Sequence, residues 1–555
     1  MMSLGRMKKM AKTLAALMAL ALLLAPMTLI SAQEKGADEG KPEAKKEPDA
    51  FTSTVKMRYE GLMFVDAMVN GKGPYNFLFD SGASMTILGE KLAGELAITL
   101  YDSPMPAQGV STQEMKMAIA ENVKVGEFSR DDLLVGVMNL DHISGELGKH
   151  MHGIVGQNMI KYMKKVHVDF STGEMSLTRF KKGEGPQMDL QESMLKMMLK
   201  RGGKIPGLPG MPGDDKKDGK KDGKKDGKKD GKKEEESGEE GFSVKPLASR
   251  RFLLGDDKVT ESKSGAPTEY MEFKYEHFKA MGGLVDVALW FMEAELNGKK
   301  HTMFFDTGAS ALCVVDAAAA NDLNLVNSYS YPVKGVGEAE ASESMLDSLK
   351  VGTFTINEPS CSVMDLGGVL AQLKQLGNEC AGIIGLPIAL RYKSMTVDGV
   401  SHIVKLEPYK AGEANEVDPA PGEDQQKQAV IRTWQGKAAK VEFVGETVML
   451  DDWEKLGLKD GGMRVTEVSG NAEKAGLKVG DIVTAVIGAG EPDDKGKRED
   501  MKVRGYAQFI TWACLSDAGS EHKLSLKRGE ERMEIQIKLV AYGWQGTAPE
   551  KYRSK

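Results

Sequence analysis

The sequence predicts a mainly β protein: two copies of one β-barrel lobe, followed by a smaller α+β domain. Three observations carry that prediction. An eight-residue stretch occurs twice, as FLFDSGAS at Phe77–Ser84 and as MFFDTGAS at Met303–Ser310. Each copy is preceded by two apolar runs joined through an Asn-Gly turn, LMFVDAMV-NGKGP-YNFLFD and ALWFMEAEL-NGKK-HTMFFD, a strong hairpin signal. After the second copy, from about residue 429, the composition turns globular once more, with a helix candidate at Tyr506–Leu515 and the paired strands KLSLKRGEERMEIQIKL.

The two copies share a register well beyond the repeated stretch. Counting from Asp80 and Asp306, a glycine follows at Gly109 and Gly335, since 109−80 and 335−306 are both 29. Val-Gly pairs follow at Val125 and Val351, where 125−80 and 351−306 are both 45, and methionines at Met138 and Met364, where 138−80 and 364−306 are both 58. Both copies close alike, with HGIVGQNMI at His152–Ile160 and AGIIGLPIA at Ala381–Ala389. The first glycine of that closing motif lies 153−80 = 73 residues after the acid in one copy and 382−306 = 76 in the other, a difference that a surface loop absorbs. The chain therefore contains an internal repeat of one domain.

The acid is the chemically informative residue of each copy. An apolar strand that ends in an unpaired carboxylate carries a cost of roughly several kcal/mol if the charge is buried without partners. A single Asp-Ser/Thr-Gly reads equally well as an Asx-turn at a strand end. Two of them in one shared frame point to a paired site.

Apolar-Asp-Ser/Thr-Gly-Ala-Ser, a mid-domain glycine hairpin and Ile-Val/Ile-Gly before a short helix resemble the retropepsin-type aspartic proteases, over about Tyr59–Phe180 and Gly283–Pro408. Two such lobes in one chain resemble a pepsin-like bilobal enzyme. The resemblance implies a catalytic dyad of Asp80 and Asp306, one acid from each lobe, and an aspartic-type endopeptidase that needs neither metal nor cofactor. Two carboxylates brought within a few ångströms cannot both ionise, so one keeps a proton while the other takes one from a bound water. Ser81 and Thr307 would support the dyad by hydrogen-bonding across the base of the cleft, and Gly82 and Gly308 by letting the backbone approach it. Gly109 with Val110, and Gly335, Val336 and Gly337, fall where the family places flap hairpins over an extended peptide.

At 555 residues the chain is too long for one core. A formal net charge of −7 and an aromatic content of 6% argue against nucleic acid as the main partner and leave protein or peptide substrates. Residues 1–32 carry Arg6, Lys8, Lys9 and Lys12, then LAALMALALLLAP and a Ser-Ala end, the three-part pattern of a secretory signal cleaved after Ala32. Ile30 departs from the small residue preferred before the cut, so an uncleaved membrane tether stays open. Either way the body is expected in the periplasm or outside the cell. Residues 33–50 read as a charged tether, 51–180 as lobe 1 and 271–410 as lobe 2.

Between the lobes, 181–270 reads as a flexible linker with Lys-Lys-Asp-Gly repeats at 216–231. Asp214 and Asp218-Gly219 sit at EF-hand positions, but Lys216 and Lys225 stand where ligands are needed, which excludes a Ca²⁺ loop. A second linker is expected over 411–428. The segment 429–542, with Ala475-Gly476-Leu477 and Gly480-Asp481-Ile482, resembles a bacterial protease-associated PDZ domain whose peptide groove would be bounded by Val444 and Gly445. Glu446 follows that pair, which departs from the family's apolar carboxylate loop. The domain holds nothing resembling a catalytic group, so a chain ending near Pro408 is expected to cleave short peptides.

Other chemistries find no support. The eight histidines include no HExxH, the four cysteines have no zinc spacing, and no GxSxG elbow occurs. A Cys361–Cys380 bridge and four thiols are both compatible with an exported chain. The 34 methionines fall mostly at apolar positions and read as core. Pairing of the two lobes within one chain is favoured, with a homodimer as the alternative, and a non-catalytic peptide-binding scaffold is the competing function.

Overall fold

The computed structural model describes residues 51–59, 61–102, 107–108, 112–181, 183–186, 190–200, 267–280, 285–335, 337–375, 379–410, 413, 422–490 and 497–553. The expected signal (1–32), the tether (33–49, with Ala50) and the Lys-Lys-Asp-Gly repeats lie outside them.

Each lobe begins with the hairpin the sequence predicts. Met63–Val69 pairs with Lys72–Phe79, and Val285–Leu296 with Lys299–Asp306. The turns Asn70-Gly71 and Asn297-Gly298 take left-handed φ at both residues, 50° and 74° in one and 51° and 78° in the other. Asparagine and glycine tolerate that conformation, and its twist matches the flanking strands.

The closing motif then runs parallel to the acid-bearing strand. Gly153–Val155 aligns Val155 with Phe79, and Gly382–Gly385 aligns Gly385 with Asp306. Its glycines are needed for close approach: a Cβ at Gly153 would lie 2.3 Å from the Phe77 ring, and one at Gly382 would lie 2.0 Å from the Val314 carbonyl oxygen. The repeated sequence motif is thus a packing requirement.

The lobes join through one antiparallel sheet. Its order is Thr52–Tyr59, Glu174–Arg179, Met163–Asp169, Ser394–Asp398, Ile403–Glu407, Met271–Ala280, three strands from each lobe. Lys165 faces Asp398 and Asp169 faces Ser394 at the centre, where the His167 ring and the Thr396 hydroxyl are 2.8 Å apart. Val166, Val168, Met175, Leu177, Met395, Val397, Val404 and Leu406 alternate inward from these strands into one core. That continuous sheet sets the two lobes in a fixed relation.

Two stretches read as linkers contain helices. Leu190–Lys200 lies inside 181–270, yet Leu195 and Leu199 are buried in the first-lobe core beside Met115, Met117 and Leu147. The Lys200–Asp132 contact at 2.8 Å holds it there, and its internal i,i+4 pair Glu192–Lys196, 2.7 Å apart, supports the helix itself. Glu423–Trp434 likewise begins inside 411–428, with the acidic Glu423 and Asp424 in its first turn where they complement the helix dipole, and buries Ala429, Val430 and Trp434 against the second lobe.

The C-terminal module is built on a sheet ordered Phe443–Thr447, Met463–Val468, Ile482–Val486, Glu521–Arg528, Glu531–Lys538, with Met501–Lys502 added to Ile482–Val486. The helix Tyr506–Leu515 covers it, with Phe509, Trp512 and Ala513 in the module's core. The module does not stand apart. Its Cys514 and the following Ala548 share one apolar cluster with Tyr329, Tyr331, Val333 and Met364 of the second lobe. On the first lobe, Lys91 pairs with Asp141 and with Asp451 of the module, and a Cβ at Gly145 would lie 3.1 Å from the Val448 carbonyl oxygen.

All four cysteines are thiols. Burial pushes Cys313, Cys380 and Cys514 up to about 12, so they act as small apolar fillers. Among the described residues no helix is long and apolar enough to cross a membrane.

Candidate active site

Asp80 and Asp306 come together at the junction of the lobes, each at the end of its hairpin's second strand and each fully buried. The Asp80 N–H donates to the Val155 carbonyl at 3.1 Å, which anchors the acid to the closing motif. One oxygen of each acid is then tied by its own loop. Asp80 Oδ1 accepts from the Gly82 N–H at 2.7 Å and the Ala83 N–H at 3.1 Å, and Asp306 Oδ1 accepts from the Gly308 N–H at 2.8 Å. These local bonds are the Asx geometry of Asp-Ser/Thr-Gly, used here to aim a carboxyl group. The other oxygen of each acid, Oδ2, is buried and has no partner among the described residues.

The two acids are close enough to constrain each other's loops. A Cβ at Gly82 would lie 2.6 Å from Asp306 Oδ1, so only glycine fits between them. Ser81 and Thr307 form the expected cross-link. The Ser81 N–H donates to Thr307 Oγ1 at 2.9 Å and the Thr307 N–H donates to Ser81 Oγ at 3.0 Å. The hydroxyls pass the bonds on, Thr307 to the Phe79 carbonyl at 3.2 Å and Ser81 to the Phe305 carbonyl at 3.5 Å. All of these groups are buried, where hydrogen bonds are strong and unsatisfied groups are costly.

Burial raises both acids. Asp80 stands well above the usual carboxylate range, first through loss of water and then through the Asp306 charge beside it. Asp306 is raised by burial to about 6, with the Gly308 N–H pulling the other way. The pair thus holds one shared proton above about pH 6, with Asp80 the stronger holder.

Gln157 was not among the residues singled out from sequence. It is fully buried, and its Nε2 donates to the Ser81 carbonyl at 2.8 Å. Leu386 holds the corresponding place in the second copy and has no donor. Their backbones do the same work, Gln157 N–H to Ala83 O at 2.8 Å and Leu386 N–H to Ala309 O at 2.9 Å. The signal was present as one of two polar-for-apolar differences in HGIVGQ against AGIIGL, the other being His152 against Ala381.

The remaining expected residues fall as follows. Gly335 pairs with Gly337 at the tip of the hairpin Ser330–Gly335/Gly337–Met345, while Val336 lies outside the described residues. Gly109 and Val110 also lie outside them, between the paired strands Ala107–Gln108 and Thr112–Gln113. Val444 is exposed on the edge strand of the C-terminal module, and Gly445 packs so closely that a Cβ would lie 2.6 Å from the Met463 side chain.

Residues 65–159 and 292–388 match the sequence model of a family described as aspartyl protease. The chain therefore carries two retropepsin-like repeats, one around each acid. Among solved structures, a retropepsin-like aspartic protease from Rickettsia conorii aligns at 16% identity over 23% of this chain and 91% of its own, with a TM-score of 0.18. The HtrA-type protease AlgW with a decapeptide aligns at 11% identity over 50% and 81%, TM-score 0.17, and basic 7S globulin from soybean at 7% identity over 67% and 98%, TM-score 0.27. No curated protein matches the chain.

Proposed function

We propose that this protein is an exported aspartic endopeptidase in which Asp80 and Asp306 activate a water for attack on a peptide bond. The observation that carries the proposal is the pair of buried acids, each aimed by its own loop and cross-linked through Ser81 and Thr307. The match of both repeats to an aspartyl protease family supports the same reading.

The roles follow from the order of proton affinity. Asp80 starts protonated and donates to the carbonyl oxygen of the scissile bond; Asp306 starts ionised and takes a proton from water. As water adds, the carbonyl oxygen gains the Asp80 proton, and the tetrahedral diol collapses when Asp306 returns a proton to the leaving nitrogen. Asp80 then recovers its proton from the diol. Both acids are then back in their starting states and no net proton is lost.

The C-terminal module is proposed as a PDZ-type domain that binds an extended peptide. Phe443–Thr447 pairs on one side with Met463–Val468 and forms the edge of the module's sheet, with Tyr506–Leu515 beside it, a setting suited to strand addition. Export rests on the residue pattern of 1–32. A non-catalytic scaffold is the alternative, and retention of both acids weighs against it.

The test is incubation of the purified chain with a denatured protein over a range of pH, with and without a transition-state inhibitor of aspartic peptidases. Inhibitor-sensitive fragments are expected. Absence of cleavage at every pH would leave the scaffold reading.

A further inference from the structure

The hairpin Ser330–Gly335/Gly337–Met345 of the second lobe is held from outside that lobe. At its root, Trp544 Nε1–H donates to the Asn327 carbonyl at 3.0 Å, and the Ser330 N–H donates to the Tyr542 hydroxyl at 3.3 Å. The Tyr329 and Thr511 hydroxyls are 3.4 Å apart. The helix Tyr506–Leu515 packs on one hairpin strand and the helix Glu423–Trp434 on the other. Further along the C-terminal segment, Lys551 Nζ reaches Asp347 at 2.6 Å and Glu358 at 3.0 Å, and the Tyr552 hydroxyl donates to Glu358 at 2.7 Å.

The first lobe offers a contrast within the same chain. Its counterpart pairs Leu100–Asp102 with Lys116–Val125 and Ala107–Gln108 with Thr112–Gln113, and among the described residues neither the helix Tyr506–Leu515 nor the helix Glu423–Trp434 packs on these strands as they do on the second-lobe hairpin. The repeat therefore uses one element in two settings. An isolated hairpin is marginally stable, and a surface that must hydrogen-bond an extended chain performs well only when it is held in advance. The C-terminal module supplies that hold on one side.

We infer that the C-terminal module fixes the Ser330–Met345 hairpin, which the retropepsin resemblance makes a wall of the substrate cleft, with Tyr542, Trp544 and Thr511 as its positioning residues. The inference rests on the peptidase reading above. It assigns the module a role in every turnover, including that of short peptides which never enter the module's own groove. A purely recruiting module would affect only substrates that bind it.

The experiment uses the full chain and a short unstructured fluorogenic peptide. Tyr542→Phe removes one hydroxyl and Trp544→Phe one N–H, each keeping an aromatic ring in place. Each is expected to raise KM about three- to tenfold with kcat within twofold, and the amides of 330–335 are expected to exchange with deuterium faster. Lys523→Ala, on the strand beside the module's far edge where Lys523 meets Glu534 at 3.0 Å, is expected to change neither. Lys551→Met provides an independent loosening through the Asp347 and Glu358 contacts, should the aromatic variants fail to fold. Faster exchange at 330–335 with KM and kcat both unchanged would overturn the inference. A wild-type chain that does not cleave, or an Asp80→Asn/Asp306→Asn double variant that still does, would instead remove the peptidase reading beneath it.

Discussion

Ser81 and Thr307 each donate a backbone N–H to the other's hydroxyl, at 2.9 and 3.0 Å, although 226 residues separate them. This exchange ties the two acid-bearing loops into one unit. Thr307→Val keeps the shape and removes the hydroxyl, leaving the buried Ser81 N–H without an acceptor. The expected loss of stability is about 1–3 kcal/mol. Chemical denaturation should show it as a lower midpoint at unchanged m, and kcat should fall at least tenfold as the loops lose register.

The dyad should behave as one catalytic group. Asp80→Asn, Asp306→Asn and the double variant are expected to be comparably inactive, because neither carboxyl can serve as acid and base together. Near-normal kcat/KM in either single variant would contradict the shared site.

The raised acids set a pH dependence whose sign is opposite to that of salt-bridged carboxylates. Asp306 is raised from the usual range to about 6 and Asp80 further still, so the fold binds protons that the unfolded chain has released. The Asp306 contribution to stability is full below about pH 4 and is lost as pH rises through about 6, while that of Asp80 persists to higher pH. Asp80→Asn should therefore raise Tm relative to wild type at pH 8, with the gain shrinking towards pH 4. For activity, ionisation of Asp306 near 6 creates the single-anion dyad, so kcat/KM should rise through about pH 6 and fall again where Asp80 loses its proton.

Gln157 secures the carbonyl of Ser81 from behind, and the second copy shows that leucine is sterically acceptable at the same backbone position. Gln157→Leu is expected to fold and to lower kcat about tenfold, with KM within twofold. Gln157→Glu can donate only while protonated and should recover activity at acid pH. Parallel pH profiles for the two variants would show that the donor is irrelevant.

The lobes were legible in the sequence because their determinants are local and repeated. Asn-Gly turns, apolar runs ending in Asp, and glycines that admit no Cβ leave a mark at each position, and the second copy checks the first. The two helices inside the expected linkers were missed for the opposite reason. The stretches around Leu190–Lys200 and Glu423–Trp434 are short, flanked by charge and proline, and become helical by covering apolar surface that another part of the chain exposes. Propensity alone does not sustain helices of that length. Gln157 was passed over because its partner is a main-chain oxygen, which no side-chain pattern records.

By itself, the sequence determined the repeat, the hairpins, the two acids and the residues that would link them, since each is written in spacing and in the chemistry of single residues. Only the tertiary structure decided that both lobes share one six-stranded sheet, that Asp80 and Asp306 are both fully buried with their proton affinities raised, and that the C-terminal module leans on both lobes. A chain ended at Pro408, harmless on sequence grounds, would strip Ala429, Val430, Trp434 and Cys514 from the cluster around Tyr329 and Tyr331. The physical reason is that packing between distant segments depends on complementary surfaces, and a surface is a property of the folded chain.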